Sequence, residues 1–170
     1  SDIVKQLKYH GSKVIVLDKT KKNYQKKQKN IFFEYFDLSK INLLNKKLDK
    51  IIKKHGCPNI FINAAYPRSK NWKNSTFSKL TSSELQLNVN IHLNSFIWSS
   101  MKIAEKMKKH KVKGSIILMN SIYGLVGQDK KLYKNTNIEM NPVYASIKGG
   151  LVTFVKSLSS YYGEENIRAN

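Results

Sequence analysis

Short apolar runs alternate with longer amphipathic stretches along this chain, and that alternation limits the folds open to it. Lys13-Val14-Ile15-Val16-Leu17-Asp18, Ile31-Phe32-Phe33-Glu34-Tyr35-Phe36-Asp37, Asn59-Ile60-Phe61-Ile62-Asn63-Ala64 and Gly114-Ser115-Ile116-Ile117-Leu118-Met119 read as buried strands. Between them lie stretches of helical period. Ile3, Val4 and Leu7 predict a helix over 2–9 that stops at Gly11. Ser39 is expected to cap a helix with Ile41, Leu44, Leu48, Ile51 and Ile52 inward, ending at Gly56 with Pro58 beyond. Thr81 and Glu84 form a capping-box pattern ahead of one long helix, whose inward set is Val89, Leu93, Phe96, Ile97, Met101, Ala104 and Met107. Pro142 opens a last helix that buries Ala145, Ile147, Leu151, Val152, Val155 and Leu158 and ends near Gly163. Segments 19–30, 66–78 and 121–141 read as polar connections, and a further element starts at Ile167.

Strands alternating with helices predict an α/β fold: a doubly wound, mostly parallel sheet in three α/β/α layers, within a single domain over 1–170. Right-handed crossovers then gather the strand carboxyl ends on one rim, where ligands bind. The loops after Asp18, Asp37, Asn63 and Met119 all belong to that rim.

Composition narrows the function classes. The lone Cys57 excludes an intrachain disulfide and a cysteine-based zinc cluster, and reads as a small core filler rather than a nucleophile. No apolar run is long enough to span a bilayer, and the first residues carry no signal-peptide core, so a cytoplasmic setting is expected. The formal charge of +20 raises the possibility of nucleic acid. Against it, every basic residue except Arg68 and Arg168 is lysine, and the lysines are spread along a chain that is also rich in Asn and Ile. That is the signature of compositional bias, whereas base edges and phosphate forks favour arginine.

Tyr144-Ala145-Ser146-Ile147-Lys148 places a phenol and an amine four residues apart, on one face of the last helix. A neighbouring ammonium favours the phenolate, which suits proton transfer. The same spacing occurs at Tyr9/Lys13 and Tyr66/Lys70, but the first straddles a glycine turn and the second contains Pro67. Only Tyr144 follows a strand-and-loop segment, 114–124, in which Ser121 comes shortly after the strand. His92 reads as structural or exposed, and His10, His55 and His110 as solvated helix-end residues.

Taken together, these residues resemble the short-chain dehydrogenase/reductase family. The resemblance implies that Tyr144 is the catalytic acid/base, Lys148 its partner, Ser121 the carbonyl-binding hydroxyl, and Asn90 the fourth member, holding a water that links Lys148 to solvent. It implies NAD or NADP as cofactor, contacted by Tyr144, Lys148, Asp18, Asp37, Leu38 and the turn Asn63-Ala64-Ala65. That turn departs from the family's Asn-Asn-Ala-Gly in its second and fourth residues. An acid at Asp18 disfavours a 2′-phosphate and so favours NAD; Lys19, Lys21 and Lys22 leave NADP open. The spacing of 23 between Ser121 and Tyr144, with the turn Ala65-Tyr66-Pro67-Arg68, resembles the flagellin-modification or legionaminic-acid branch. A sugar or sugar-phosphate substrate follows from that resemblance, with Arg68 facing an anionic group.

The family's first strand, with its Gly-rich phosphate loop, and its C-terminal part have no counterpart in this sequence. In the family that strand lies between the strands at 13–18 and 59–64, so a one-strand gap is expected here, with poor dinucleotide binding by this piece alone. The family's pairing helices correspond to 87–111 and 142–163, implying a homodimer or homotetramer. The resemblance therefore implies hydride transfer between nicotinamide and a secondary alcohol or ketone, probed against two alternatives: a basic nucleic-acid-binding module and an oligomerising pseudo-enzyme.

Overall fold

Two sets of parallel strands form the sheet layer of the computed structural model, which describes residues 2–21 and 28–170. In chain order the principal elements are α1 (Asp2–Tyr9), β1 (Val14–Asp18), β2 (Ile31–Tyr35), α2 (Ile41–His55), β3 (Ile60–Asn63), α3 (Ser82–Asn88), α4 (Ser95–Lys109), β4 (Gly114–Leu118), α5 (Pro142–Tyr162) and β5 (Ile167–Ala169). β1 pairs with β2, Val14 opposite Ile31 through Asp18 opposite Tyr35. β3, β4 and β5 form a second parallel set in that order. Among the described residues no ladder joins β1 to β3, which is the gap the sequence leads one to expect. One core nevertheless spans both sets: Phe36 and the α2 residues Leu44, Leu48 and Ile52 share a cluster with Phe96, Ile103, Met107, Ile116, Ile147 and Leu151. Of the basic run 19–29, residues 22–27 lie outside the described residues.

The helix boundaries follow local chemistry, with corrections to the sequence reading. Gly11 and Gly56 have φ of +79° and +91°, a region that glycine enters without a Cβ penalty, so both helices stop where expected. Ser39 does not cap α2. Lys40 occupies the N-cap position with no side-chain bond, while the Ser39 hydroxyl and amide both donate to Asp37 Oδ1, at 2.8 and 3.0 Å. Asp37 competes for the serine through a two-residue turn. Thr81 caps α3 by accepting the Glu84 amide at 3.3 Å, but the Glu84 carboxylate accepts from Ser69 and Asn88 instead of returning to the cap. His55 is not solvated: its side chain is 5% exposed and its Nε2 lies 2.7 Å from Glu34 Oε1.

The expected single helix from Thr81 is two helices joined by a π-helical turn, Val89–Asn94. The turn inserts one residue into the repeat and rotates the following face. The fully buried stripe is therefore Ile91, His92, Ser95, Phe96, Ser99, Ser100, Ile103, Ala104 and Met107, whereas Val89, Leu93, Ile97 and Met101 are half-buried. Two of its serines satisfy themselves: Ser95 Oγ donates to the Ile91 carbonyl at 2.8 Å and Ser99 Oγ to the Ser95 carbonyl at 2.7 Å. A hydroxyl that bonds back one turn can occupy a core stripe. The polar reading of 66–78 also needs amendment, since Trp72, Ser75 and Thr76 are buried there.

Leu48 is 1% exposed where α2 lies beneath the common core. Leu48→Ala is expected to cost about 2–5 kcal/mol through lost burial and an unfilled cavity, measured by urea unfolding of the chain.

Candidate active site at the carboxyl rim of the sheet

The site is organised by a buried ammonium. Lys148 is 4% exposed, and its Nζ donates to the carbonyl of Met119, just past β4, at 2.7 Å. Burial disfavours its charged form and lowers its pKa. The amine also lies 5.8 Å from the ring centres of both Phe96 and Tyr144, within cation–π range. One helical turn earlier, Tyr144 is fixed by the helix start: Asn141 Oδ1 accepts its amide at 3.0 Å, with Pro142 at the first helical position.

Ser121 reaches the same neighbourhood through a 3₁₀ turn, Ile122–Gly124, for which it is the cap, its Oγ accepting the Tyr123 amide at 3.3 Å. That bond uses a lone pair and leaves the hydroxyl proton to donate elsewhere. The turn rests directly on α5. A Cβ at Gly124 would lie 2.7 Å from the Lys148 carbonyl oxygen and 2.8 Å from its carbon. Only glycine permits this backbone approach, and it couples the Ser121 turn to the Tyr144–Lys148 face. The insert beyond is tied down by the Tyr133 hydroxyl donating to that of Tyr123 at 2.9 Å, and by Gln128 accepting the Asn141 amide at 3.0 Å. Accordingly the Tyr123 phenol is pushed up, chiefly by its bond to Tyr133.

An aromatic wall closes the other side. Tyr66 meets Tyr144, Trp72 and His92 edge to face, with ring centres 6.0, 5.9 and 5.6 Å apart. Burial, with Tyr144 alongside, raises the Tyr66 pKa. Arg68 is exposed, its guanidinium carbon 5.4 Å from the Tyr66 ring centre. The loop carrying these residues is clamped by Asn88, which is fully buried, accepts the Ser69 amide at 2.9 Å and donates to the Glu84 carbonyl at 2.9 Å.

Asn90 stands apart from this cluster. The π turn leaves it exposed, its Oδ1 accepting from Asn94 at 3.3 Å, and turns Asn88 and His92 inward instead. No hydrogen bond joins Asn90 to Lys148 among the described residues. His92 is the residue that sequence reasoning missed: it is fully buried, and burial, then the nearby Lys148 charge, lowers its pKa to about 4. Its spacing of four to Phe96 and three to Ser95 was a helix-face signal, visible once the extra residue is counted.

The remaining residues line the rim. Asp18 Oδ1 accepts the Thr20 amide at 2.9 Å, and the Phe36 amide donates to the Asp18 carbonyl at 3.0 Å, so Asp18 and Asp37 end neighbouring strands. Burial opposes the ionisation of Asp37, but the two bonds from Ser39, helped by Lys19 and Lys40, outweigh it and lower the pKa. Leu38 is half-buried against the core. Asn63 is buried at the end of β3; its Oδ1 accepts the Ala65 amide at 3.3 Å, and its Nδ2 has no hydrogen-bond partner among the described residues. Ala64 and Ala65 are exposed. Among the described residues no group of three His, Cys, Asp or Glu side chains is placed to hold a metal ion, and no helix is long and apolar enough to cross a membrane.

The family model for short chain dehydrogenases matches residues 1–170. The chain belongs to the short-chain dehydrogenase family. It is 28% identical over 134 residues to the post-translational flagellin modification protein A of Campylobacter coli, a match covering 79% of this chain and 52% of that protein. A short-chain dehydrogenase of Leptospira borgpetersenii with bound NAD+ superposes with a TM-score of 0.83 at 24% identity, over 99% of this chain and 63% of that one. ElxO with NADP bound superposes at 0.81 and 17% identity, over 99% and 65%. The chain thus spans about half the length of the curated relative and under two thirds of the Leptospira dehydrogenase.

Two predictions follow from this packing. Gly124→Ala forces backbone apart and is expected to cost about 1–3 kcal/mol, while Gly127→Ala, where an added Cβ meets nothing within 4 Å, stays within about 0.5 kcal/mol; paired thermal melts check the contrast. His92 binds a proton near pH 6.5 when unfolded but only near 4 when folded. Its contribution is therefore whole above about pH 6.5 and is lost as pH falls toward 4, by up to about 3 kcal/mol. The stability difference between the chain and its His92→Leu variant, followed by urea unfolding across that window, should shift in favour of the variant as pH falls.

Proposed function

We propose that this chain forms the catalytic core of an NAD(P)-dependent oxidoreductase that moves hydride between nicotinamide and a secondary alcohol or ketone on a sugar or sugar phosphate, in surface-glycan or flagellin-modification biosynthesis. The observation that carries the reading is the buried Lys148 ammonium, bonded to the end of β4 and set against Tyr144. An ammonium has three donors, and Met119 takes one. A donor left over from that bond suits a ribose hydroxyl of a dinucleotide. The unpartnered, buried Nδ2 of Asn63 at the same rim also fits a bound cofactor.

The cofactor supplies the hydride chemistry when bound. Tyr144 gives its hydroxyl proton to the carbonyl oxygen in reduction, or takes the alcohol proton in oxidation. Lys148 stabilises the negative charge that then develops on the phenol oxygen. Ser121 directs its free hydroxyl proton at the reacting oxygen and stabilises charge there. Asp18, Asp37, Leu38 and the Asn63-Ala64-Ala65 turn hold the adenosine side. The acid at Asp18 favours NAD, and Lys19 and Lys21 beside it allow NADP; the relatives described above carry one or the other. Exposed Arg68 stacked near Tyr66 suits an anionic sugar, and the flagellin-modification relative supports that substrate class. Exposed Asn90, on the π turn, would hold a water that links the site to solvent. Exposed Trp98 on α4 and Tyr161 on α5 favour pairing of two copies through those helices.

Tyr144→Phe in the natural protein containing this chain should cut turnover about 10²–10⁴-fold and leave NADH affinity unchanged. The assay follows nicotinamide absorbance across a panel of sugar phosphates, with affinity read by NADH fluorescence. Retained turnover removes Tyr144 as the acid/base.

A further inference from the structure

His92 is fully buried, yet neither Nδ1 nor Nε2 hydrogen-bonds to any group among the described residues. Buried polar groups are rarely left so, because the lost hydration goes uncompensated. A partner from outside the chain is needed, and the surroundings indicate which. The imidazole packs on Phe96 with ring centres 5.0 Å apart, and Tyr66 closes over it edge to face at 5.6 Å. The same Phe96 ring carries the Lys148 ammonium at 5.8 Å, and the charge of that ammonium is felt at the imidazole. The other titratable groups of the cluster are the phenols of Tyr66 and Tyr144. Beside an ammonium the imidazole stays neutral, so it offers one lone pair and one N–H. Lys148, with one N–H on Met119, has donors to spare.

We propose that His92 is a positioning residue: its ring nitrogen accepts a hydrogen bond from an ordered water that itself accepts one from the Lys148 ammonium, fixing the direction in which Lys148 presents its remaining donor. The π turn makes this possible, because the residue it inserts turns His92 into the core and leaves Asn90 exposed. The purpose of the arrangement rests on the oxidoreductase reading above; its geometry does not.

Side-chain ¹⁵N NMR of the lysine ammonium groups tests it on this chain, without cofactor or turnover. In His92→Leu the buried charge loses its water-borne acceptor, so the Lys148 pKa should fall by about one unit. His92→Gln, which keeps an acceptor, should recover at least half of that fall, while Lys102, on another face, stays fixed in both. A Lys148 titration unmoved by His92→Leu, or a Gln variant no better than Leu, overturns the proposal. Should the Leu variant not fold, a crystal structure of the unaltered chain decides: water within hydrogen-bond distance of both His92 and Lys148 supports the proposal, and an ordered pair without it overturns it. Because neither measurement involves hydride transfer, their failure leaves the oxidoreductase reading standing, and failure of that reading leaves the proposed water link between His92 and Lys148 standing.

Discussion

A single hydrogen bond, from the buried Lys148 ammonium to the Met119 carbonyl, joins the end of the sheet to the first turns of α5. Burying a lysine is costly unless its donors are used, and here the first donor is used on backbone that a mobile partner does not control. Several features depend on this bond. Pro142 and Asn141 fix where α5 begins, and therefore that Tyr144 and Lys148 face the rim. Gly124 lets the Ser121 turn lie against the Lys148 carbonyl itself. A residue with a Cβ there would push the turn that Ser121 caps away from α5 even with every site side chain present.

The aromatic wall has a complementary role. Tyr66 meets Trp72, Tyr144 and His92 edge to face, and Trp72 meets Tyr144 in the same way. They are held in place from a distance. Asn88 anchors the loop through Ser69 and Glu84, so the position of Tyr66 is settled by a polar clamp at the start of the long helical segment. Arg68 is thereby held at the rim without being buried.

Much of the fold was legible because burial leaves periodic marks. The strands at 14–18, 31–35, 60–63 and 114–118 coincide with apolar runs, and α1 and α5 begin and end where Asp2, Pro142, Gly11 and Gly163 suggest. What was hidden is instructive. The π turn leaves no compositional trace, since its signal is one residue of phase, and the stripe it creates contains Ser95, Ser99 and Ser100, whose polarity is masked by backbone bonds or burial. The Ser39 cap failed because Asp37 is a stronger local acceptor. At the rim, the shared helix face of Tyr144 and Lys148 was readable from their spacing, but the burial of His92 was not, because an isolated histidine carries no sign of what it faces. The charge of +20 proved uninformative about the rim, where Lys148 is the buried basic residue.

In the proposed function, Lys148 and Tyr144 together receive the nicotinamide end of a dinucleotide at the carboxyl rim. A crystal structure of the natural protein carrying these residues, soaked with NAD+, tests it most directly. The account predicts the nicotinamide ribose hydroxyls on Lys148 Nζ and the Tyr144 hydroxyl beside the ring that carries the hydride. A dinucleotide ordered elsewhere on the molecule, with neither side chain in contact, contradicts it.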